Sequence, residues 1–549
     1  MSHREFPSAI LIGLLLGSLV PHQFMAIAEP PSAEVVYYAD TVIYPLPMIP
    51  EVLIGSAAPY VLVRSGPDAS NWEAMISNEF VSCNLTLASS ARGSNGVWNL
   101  SFLVPTPIRN GLYSLTINFT AGGKAVGIFE PNSIWVLKVP PQTLRLFAFS
   151  DLHSPLGAQY FYETFREMNL IGPDVAIMAG DLVDSPTIAN GWRLLLGSLL
   201  TSKIPVCAAA GNHDYEGVGS AVTYSQIIGW LNYSIRIGDF LFVVLPTDSD
   251  GWVRSDHIRW AENVFKGSRS GFKALIFHHP IFGNAARDLS DGILRLKSMA
   301  DLDTLIGSEY IYTSYRTHKE EVKQLLSLII DQDVRTIISG HIHTDLNTIL
   351  IDPNGKKHYF ITLGTIGGSR SVSKGYKLLE FYANGSLNER MTFYEGTSFL
   401  SDPSSIPIEL GQGTYPYKIG FLQYYFSYND GEHHAVSFKA INELRQDFKN
   451  ISIVLKLPKD RPLSSYRWYP APPDTYEIVE TQRNYFVLPK GVYLARNSSV
   501  SLTFASEEDS APPVGAFRAS YLNQSNWIVV SLDASDSGWG VARMEIEFT

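Results

Sequence analysis

The chain has 549 residues, too many for one hydrophobic core, and length alone predicts about three or four domains. Apolar residues make up 45% and charged residues only 17%, which excludes a disordered chain. A formal net charge of −11 argues against a nucleic-acid-binding surface, although active-site cations can still attract a phosphate group locally.

The first residues read as an export signal. Arg4 stands in a short polar start, an apolar run covers 9–20, and Ala26-Ile27-Ala28 gives an A-x-A pattern before Glu29. Residues 1–28 are therefore expected to be a signal peptide. The apolar run falls short of the ~20 residues a spanning helix needs, and no later segment reaches that length. The expectation is a mature protein without a transmembrane segment, secreted or held at the cell surface. Eight N-x-S/T acceptors (Asn84, Asn99, Asn118, Asn232, Asn384, Asn450, Asn497 and Asn523) suit a glycoprotein. The only cysteines, Cys83 and Cys207, fall in different predicted domains. Core packing, not disulfides, must then stabilise the chain.

Residues 29–141 read as an all-β sandwich: VVYYADTVIY, YVLVRS, CNLTLAS, VWNLSFLV, YSLTINFT and SIWVLKV are strand-like and separated by Gly, Pro, Asn and Ser. The pattern changes at Leu144. Apolar strands (LRLFAFS, DVAIMAG, IPVCAAAG, KALIFHH, VRTIISG) now alternate with helices over 158–169, 188–200, 255–266 and 318–330. Thr317 and Glu320 predict a capping box for the last helix. SIRIG, FLFVVLP, HYFITLG, YKLLEFY and ERMTFYE add strands. Residues 142–398 thus predict a layered α/β domain on one mixed sheet. An irregular excursion between His279 and Thr317 reads either as a substrate wall or as a peripheral insert. Residues 399–549 return to strands, and an immunoglobulin-like unit begins at about 513, after Ala511-Pro512-Pro513. Only about 36 residues remain there, against the roughly 100 such a unit takes.

Five motifs in the α/β segment sit where a strand ends: Asp151 and His153 after LRLFAFS, Asp181 and Asp184 after DVAIMAG, Asn212-His213-Asp214 after IPVCAAAG, His278-His279-Pro280 after KALIF, and His341 with His343 after VRTIISG. Carboxylates, an amide and imidazoles at the carboxyl ends of strands converge on one sheet edge, where a metal can be held. Glycines before several of them suit sharp turns and close backbone approach.

D-x-H, GD-x-x-D, GNHD, HHP and GH-x-H, in this order, resemble the calcineurin-like metallophosphoesterase superfamily, which includes purple acid phosphatases and many phosphodiesterases. The resemblance covers about 144–397 and implies an α/β metallophosphoesterase core flanked by β-sandwich-like domains. It implies two metal ions about 3.5–4 Å apart, one on Asp151, His153 and His343, the other on Asn212, His278 and His341. Asp181 would bridge them with its two oxygens, and His278 is preferred to His279 because it stands two before Pro280. A metal-bridging hydroxide would attack a phosphomonoester or phosphodiester. His213 would be the general acid, with Asp214 holding its imidazole in the right tautomer.

Purple acid phosphatases carry a metal-binding tyrosine three residues after the bridging aspartate. Here that position is Asp184, which argues against the purple subclass and makes Asp184 a partner to a ligand. The donor set suits Fe, Mn, Zn or Co. Asp430, Glu432, His433 and His434 read as a polar hairpin loop, and Asp533, Asp536 and Gly538 as an Asx-type turn. Arg316, His318 and Lys319 are either phosphate contacts or a solvated helix start. The rival reading of the whole chain is a surface or envelope-associated binding protein that keeps the phosphoesterase fold as a scaffold.

Overall fold

The computed structural model describes residues 41–55, 57–105, 108–289, 291–368, 373–389, 405–410, 420–506, 514–522 and 527–535. The export signal, Asn523, Asp536, Gly538 and nearly all of the ERMTFYE strand lie outside the described residues. So do the Ala511-Pro512-Pro513 linker and the VARMEIEFT segment.

Eight strands come first: β1 (Val42–Tyr44), β2 (Glu51–Ile54), β3 (Tyr60–Arg64), β4 (Ser70–Ser77), β5 (Ser82–Arg92), β6 (Val97–Leu103), β7 (Gly111–Ala121) and β8 (Lys124–Leu137). They form one sheet in the order β1-β3-β6-β5-β4-β7-β8-β2. The long β5 spans its middle: its first residues pair with β4, its last with β6, and the register shifts between Leu87 and Ser89. Alternation places Val61, Val63, Leu100 and Phe102 in one apolar cluster with Trp72, Ile76, Leu115 and Ile117 from the other half of the sheet.

The α/β segment holds two mixed sheets, not the one its strand pattern predicted. The first contains β9 (Thr143–Phe149), β10 (Val175–Ala179), β11 (Val206–Ala209) and β19 (Ser373–Tyr382), and is extended by β20 (Ile406–Leu410) from beyond residue 398, in the order β11-β10-β9-β19-β20. The second runs β12-β13-β14-β16-β18-β17-β15. Its strands are β12 (Tyr233–Ile237), β13 (Phe240–Val244), β14 (Phe272–Ile276), β15 (Ile293–Arg295), β16 (Thr336–Ser339), β17 (Leu346–Ile351) and β18 (Lys357–Thr362).

The reason is visible in β9. Leu144, Leu146 and Ala148 face the second sheet in a cluster with Phe242, Ala274, Ile276 and Ile338. Phe147 and Phe149 face the opposite way, into a cluster with Phe161, Phe165 and Met168 of helix α1 (Ala158–Ile171). A strand apolar on both faces needs a layer on each side, and here one of those layers is another sheet. On the far side of the second sheet, Leu241, Val243, Leu275 and Ile337 pack on α4 (Ser255–Lys266) and α7 (Lys319–Asp331). Helices α2 (Ala189–Leu200) and α3 (Val222–Ile227) join the α1 side through Trp192, Leu195 and Tyr224.

The excursion contributes β15 to the edge of the second sheet, paired with β17, and two short helices, α5 (Asp301–Ile306) and α6 (Thr313–Arg316). Because α6 ends at Arg316, Thr317 becomes its C-cap and His318 the N-cap of α7, which has no side-chain cap bond. The capping box predicted for Thr317 and Glu320 does not form; the Thr317 hydroxyl turns back to the Ser314 carbonyl at 3.5 Å.

After β20, strands Leu422–Ser427, Ala435–Asn442, Ser498–Ala505 and Arg467–Tyr469 form a four-stranded sheet in that order. Val436, Phe438 and Phe504 from it share the α1-side cluster. Strands Val514–Leu522 and Trp527–Ser535 pair antiparallel as a two-stranded sheet of their own among the described residues. Cys83 and Cys207 are both free thiols.

Candidate metal centre

The strand ends that bear polar residues belong to both sheets. In the first, β9, β10 and β11 run parallel; in the second, β14 and β16 do. Their carboxyl ends therefore open on one side of the molecule. The loops after β9 and β10 are tied together, Asp151 N–H donating to Gly180 O at 3.0 Å and His153 N–H to Asp181 O at 3.1 Å. Gly340 N–H donates across to His278 O at 2.8 Å, joining the ends of β16 and β14.

Turning so sharply costs backbone strain. Asp151, His153, Asp181, His341 and His343 all adopt left-handed φ between 49° and 72°, a conformation that costs roughly 1–3 kcal/mol per residue in such settings. Gly180 has φ +98°, and a Cβ there would lie 2.3 Å from His278 Nδ1. Only glycine permits both the turn and the neighbouring imidazole.

Two groups result. Asp151, His153, Asp181 and His343 offer ligand atoms within 4.8 Å of one another, and so do Asp181, His278 and His341. In the first, His343 Nε2 is 3.2 Å from Asp151 Oδ1 and 3.1 Å from His153 Nε2. In the second, His278 Nε2 is 3.2 Å from Asp181 Oδ2. That same Oδ2 is 3.7 Å from His153 Nε2, so one oxygen of Asp181 stands between the groups. Oδ1 accepts the main-chain N–H of His213 at 2.9 Å.

His278 is fully buried, and its Nδ1–H donates to Ala179 O at 2.7 Å, which leaves Nε2 as the nitrogen turned to Asp181. Its neighbour His279 belongs to neither group. Its Nδ1 bonds the Thr247 hydroxyl at 2.8 Å, and its ring lies 3.9 Å, centroid to centroid, from that of His341. Burial, then the charges of His341 and His278, hold its pKa well below the ordinary value.

These residues suit a cation. Asp151 Oδ1, Asn212 Oδ1 and His278 Nε2 are buried and make no hydrogen bond, an arrangement that is costly unless something else satisfies the atoms. Burial opposes a charge on His278, yet Asp181 and Asp151 push its pKa up to about 9. Burial likewise opposes ionisation of Asp181, but His278, His153 and His213 draw its pKa below the carboxylate range. Positive charge is favoured at His278 but not at His153 or His341: burial first holds the pKa of His153 below the ordinary value, and burial with the charge of His278 brings His341 down to about 4.

Around this centre, the structure reassigns several residues. Asp184 Oδ1 is 3.6 Å from His153 Nδ1, in keeping with a partner to a ligand. His213 is half-exposed, and its Nδ1 lies 2.7 Å from the carbonyl oxygen of Asp184. Asp214 does not hold it. The Asp214 carboxylate is fully buried and accepts main-chain N–H groups from Leu182, Val183 and Gly211 at 2.8–3.2 Å. Burial first, and then Asp181, push its pKa up to about 7. Asp214 holds together the loops after β10 and β11, and the hydrogen bond to the His213 ring comes instead from the Asp184 main chain.

Arg316, one of the candidate phosphate contacts, is spent on the carbonyls of Ile311 and Glu309 at 2.9 and 2.7 Å, and His318 stacks on Trp252. In the hairpin after Ser427, His433 Nδ1 bonds Asp430 and His434 Nδ1 bonds the Tyr466 hydroxyl. Sequence reasoning missed Tyr312, whose hydroxyl is 2.9 Å from His341 Nε2. No motif marked it, because it lies in the irregular excursion.

Residues 144–345 match the family model for calcineurin-like phosphoesterases. A probable cyclic nucleotide phosphodiesterase of Fibrobacter succinogenes is 24% identical over 212 residues, spanning 38% of this chain and 70% of that protein. Among solved structures, the purple acid phosphatase PPD1 from yellow lupin (Lupinus luteus) seeds aligns at 14% identity and TM-score 0.39, over 61% of this chain and 69% of its own. PhoD aligns at 11% identity and TM-score 0.38, over 69% of this chain and 91% of its own. Neither score reaches 0.5, and neither supports an assignment. The motifs, the two groups joined at Asp181 and the matching family model lead to one conclusion: residues 144–345 are a calcineurin-like phosphoesterase domain.

Proposed function

We propose that this chain is an exported, metal-dependent hydrolase of phosphoesters. The observation that carries the reading is the pair of ligand groups that share Asp181 Oδ2. Asp151, His153 and His343 would hold one cation, Asn212, His278 and His341 the other, with Asp181 between them. Fe, Mn, Zn or Co at these positions would polarise a phosphoryl oxygen and supply an activated water.

The remaining chemistry belongs to the chain. His213 projects from the loop after β11, its ring edge-on to His153 at 4.6 Å between centroids. With Nδ1 engaged by Asp184 O, its other nitrogen is the one available to give a proton to the departing alkoxide oxygen. Trp252, stacked on His318 and covered by the Arg254 guanidinium, forms a rim beside the excursion.

The named relative makes phosphodiesters, cyclic nucleotides included, the first substrates to try, with phosphomonoesters beside them. Residues 29–141 are taken as a sandwich-like unit, residues 142–398 as the catalytic unit and residues 399–549 as a β-rich unit. Export and glycosylation rest on the 1–28 segment and on the acceptors. Asn84, Asn99, Asn118, Asn384, Asn450 and Asn497 are exposed, and Asn232 is half-buried. Among the described residues no helix is long and apolar enough to cross a membrane.

The test is metal analysis of the purified chain with a phosphomonoester and a phosphodiester assay, Mn, Zn and Fe being added back in turn. Turnover that needs the cation and vanishes in Asp181→Asn supports the proposal. A chain that binds no cation, or turnover indifferent to Asp181→Asn, would leave the scaffold reading instead.

A further inference from the structure

His341 is the only residue of the two ligand groups that meets the excursion through a hydrogen bond given by the described residues, and the contact is a built one. The excursion returns to the centre as a short antiparallel bridge between Phe282 and Ile311, directly after the His278-His279-Pro280 turn. Gly283 N–H donates to Tyr310 O and Tyr312 N–H to Ile281 O, each at 2.8 Å. Arg316 clasps the carbonyls of Glu309 and Ile311 from behind, and the Ser314 hydroxyl donates to Gly251 O at 2.6 Å. Tyr312 is thus fixed by main-chain bonds on one side of His341. Its hydroxyl reaches His341 Nε2 at 2.9 Å.

The opposite restraint comes from His279, whose ring packs on the His341 ring while Thr247 holds its Nδ1. The main-chain N–H of His341 donates to Asp151 Oδ2 at 3.1 Å. The imidazole is therefore restrained at its backbone, its face and one edge.

We propose that Tyr312 is a positioning residue for His341: its hydroxyl accepts the Nε2 proton and leaves Nδ1 with the lone pair turned to the cation. This rests on the metal-centre reading above. The arrangement mirrors His278, where Nδ1–H donates to Ala179 O and Nε2 is left free. An imidazole ligand must keep its proton on the nitrogen away from the cation, and a partner there sets both tautomer and ring orientation. His278 uses a main-chain carbonyl from the sheet for this purpose. His341 uses a side chain delivered by the excursion, so one of the two cation sites depends on how that excursion folds.

The test is isothermal titration of the metal-stripped full-length chain with Mn²⁺, comparing wild type, Tyr312→Phe and Tyr310→Phe, with Tm of the stripped proteins measured alongside. Tyr310→Phe removes a hydroxyl from the same segment and is expected to titrate as wild type. Tyr312→Phe is expected to keep its Tm and one binding event unchanged, while the other event weakens about 10–100-fold. Two events with wild-type constants in Tyr312→Phe would overturn the proposal, as would equal weakening of both together with a fall in Tm, which marks a general structural role. A wild type that takes up no Mn²⁺, Zn²⁺ or Fe would overturn the metal-centre reading itself, a result distinct from a metal-binding wild type matched by Tyr312→Phe.

Discussion

His213 Nδ1 lies 2.7 Å from the main-chain oxygen of Asp184, while the carboxylate of the adjacent Asp214 turns away to three main-chain amides. The partner that orients the proposed proton donor is thus a carbonyl, which no side-chain substitution can remove. The contribution of His213 is best isolated by varying the leaving group. His213→Ala should lower kcat by about 10²–10⁴ for an alkyl ester, whose departing oxygen needs a proton. The loss should be far smaller for a p-nitrophenyl ester, whose leaving group departs unprotonated. Equal losses on both substrates would remove His213 from the proton-transfer step.

Asp214 should behave as a structural residue. An amide at this position places an NH₂ group against at least one of the three N–H donors now received by the carboxylate. Asp214→Asn should then cost about 1–3 kcal/mol of stability. The fall in kcat/KM at high pH, where the general acid loses its proton, should keep its midpoint. Chemical denaturation and a pH–rate profile of the same preparation check both parts.

Glu130 links stability to pH in a region away from the metal centre. It sits in β8, only 4% exposed, and burial pushes its pKa from an ordinary 4.5 up to about 8. The folded chain therefore keeps this proton over a range in which the unfolded chain has lost it. The resulting stabilisation is complete below about pH 4.5 and is lost as pH rises towards 8. Glu130→Gln should match wild type near pH 4 and exceed it by about 2–4 kcal/mol at pH 8. Urea midpoints measured at both ends of the range would reveal this, and a constant difference between the two proteins would contradict it.

Chelation should be visible in stability as well as in turnover. A cation present at 1,000 times its dissociation constant stabilises a fold by about 4 kcal/mol, and each kcal/mol moves Tm by roughly 2–4 °C in a unit of this size. Stripping the wild type should lower Tm by several degrees, and adding the cation back should restore it. Asp181→Asn, which alters the carboxylate common to both groups, should show little or none of this shift.

The strands that carry the site were legible because each is an apolar run that stops at a polar residue. Asp151, Asp181, Asn212, His278 and His341 could be read as strand-end residues without knowing what lay opposite them. The same runs did not reveal that the strands divide between two sheets. A strand buried on both faces looks the same whether a helix or a second sheet covers it. Thr317 and Glu320 had the spacing of a cap but lost it to α6, whose end takes up Thr317. A short helix formed within an irregular stretch leaves too weak a period to be recognised.

Sequence alone therefore determined the identity and order of the candidate ligand residues, because the motifs are contiguous and each follows a strand that local hydrophobicity reveals. Only the tertiary structure decided how those residues are held. It placed Asp181 Oδ2 between His153 and His278, set the Asp184 carbonyl behind His213, returned Asp214 to the loops and brought Tyr312 to His341. Each of these contacts depends on which atom of a side chain points where, or joins segments about 30 residues apart. Neither the direction of an atom nor the meeting of distant loops is written in local residue pattern.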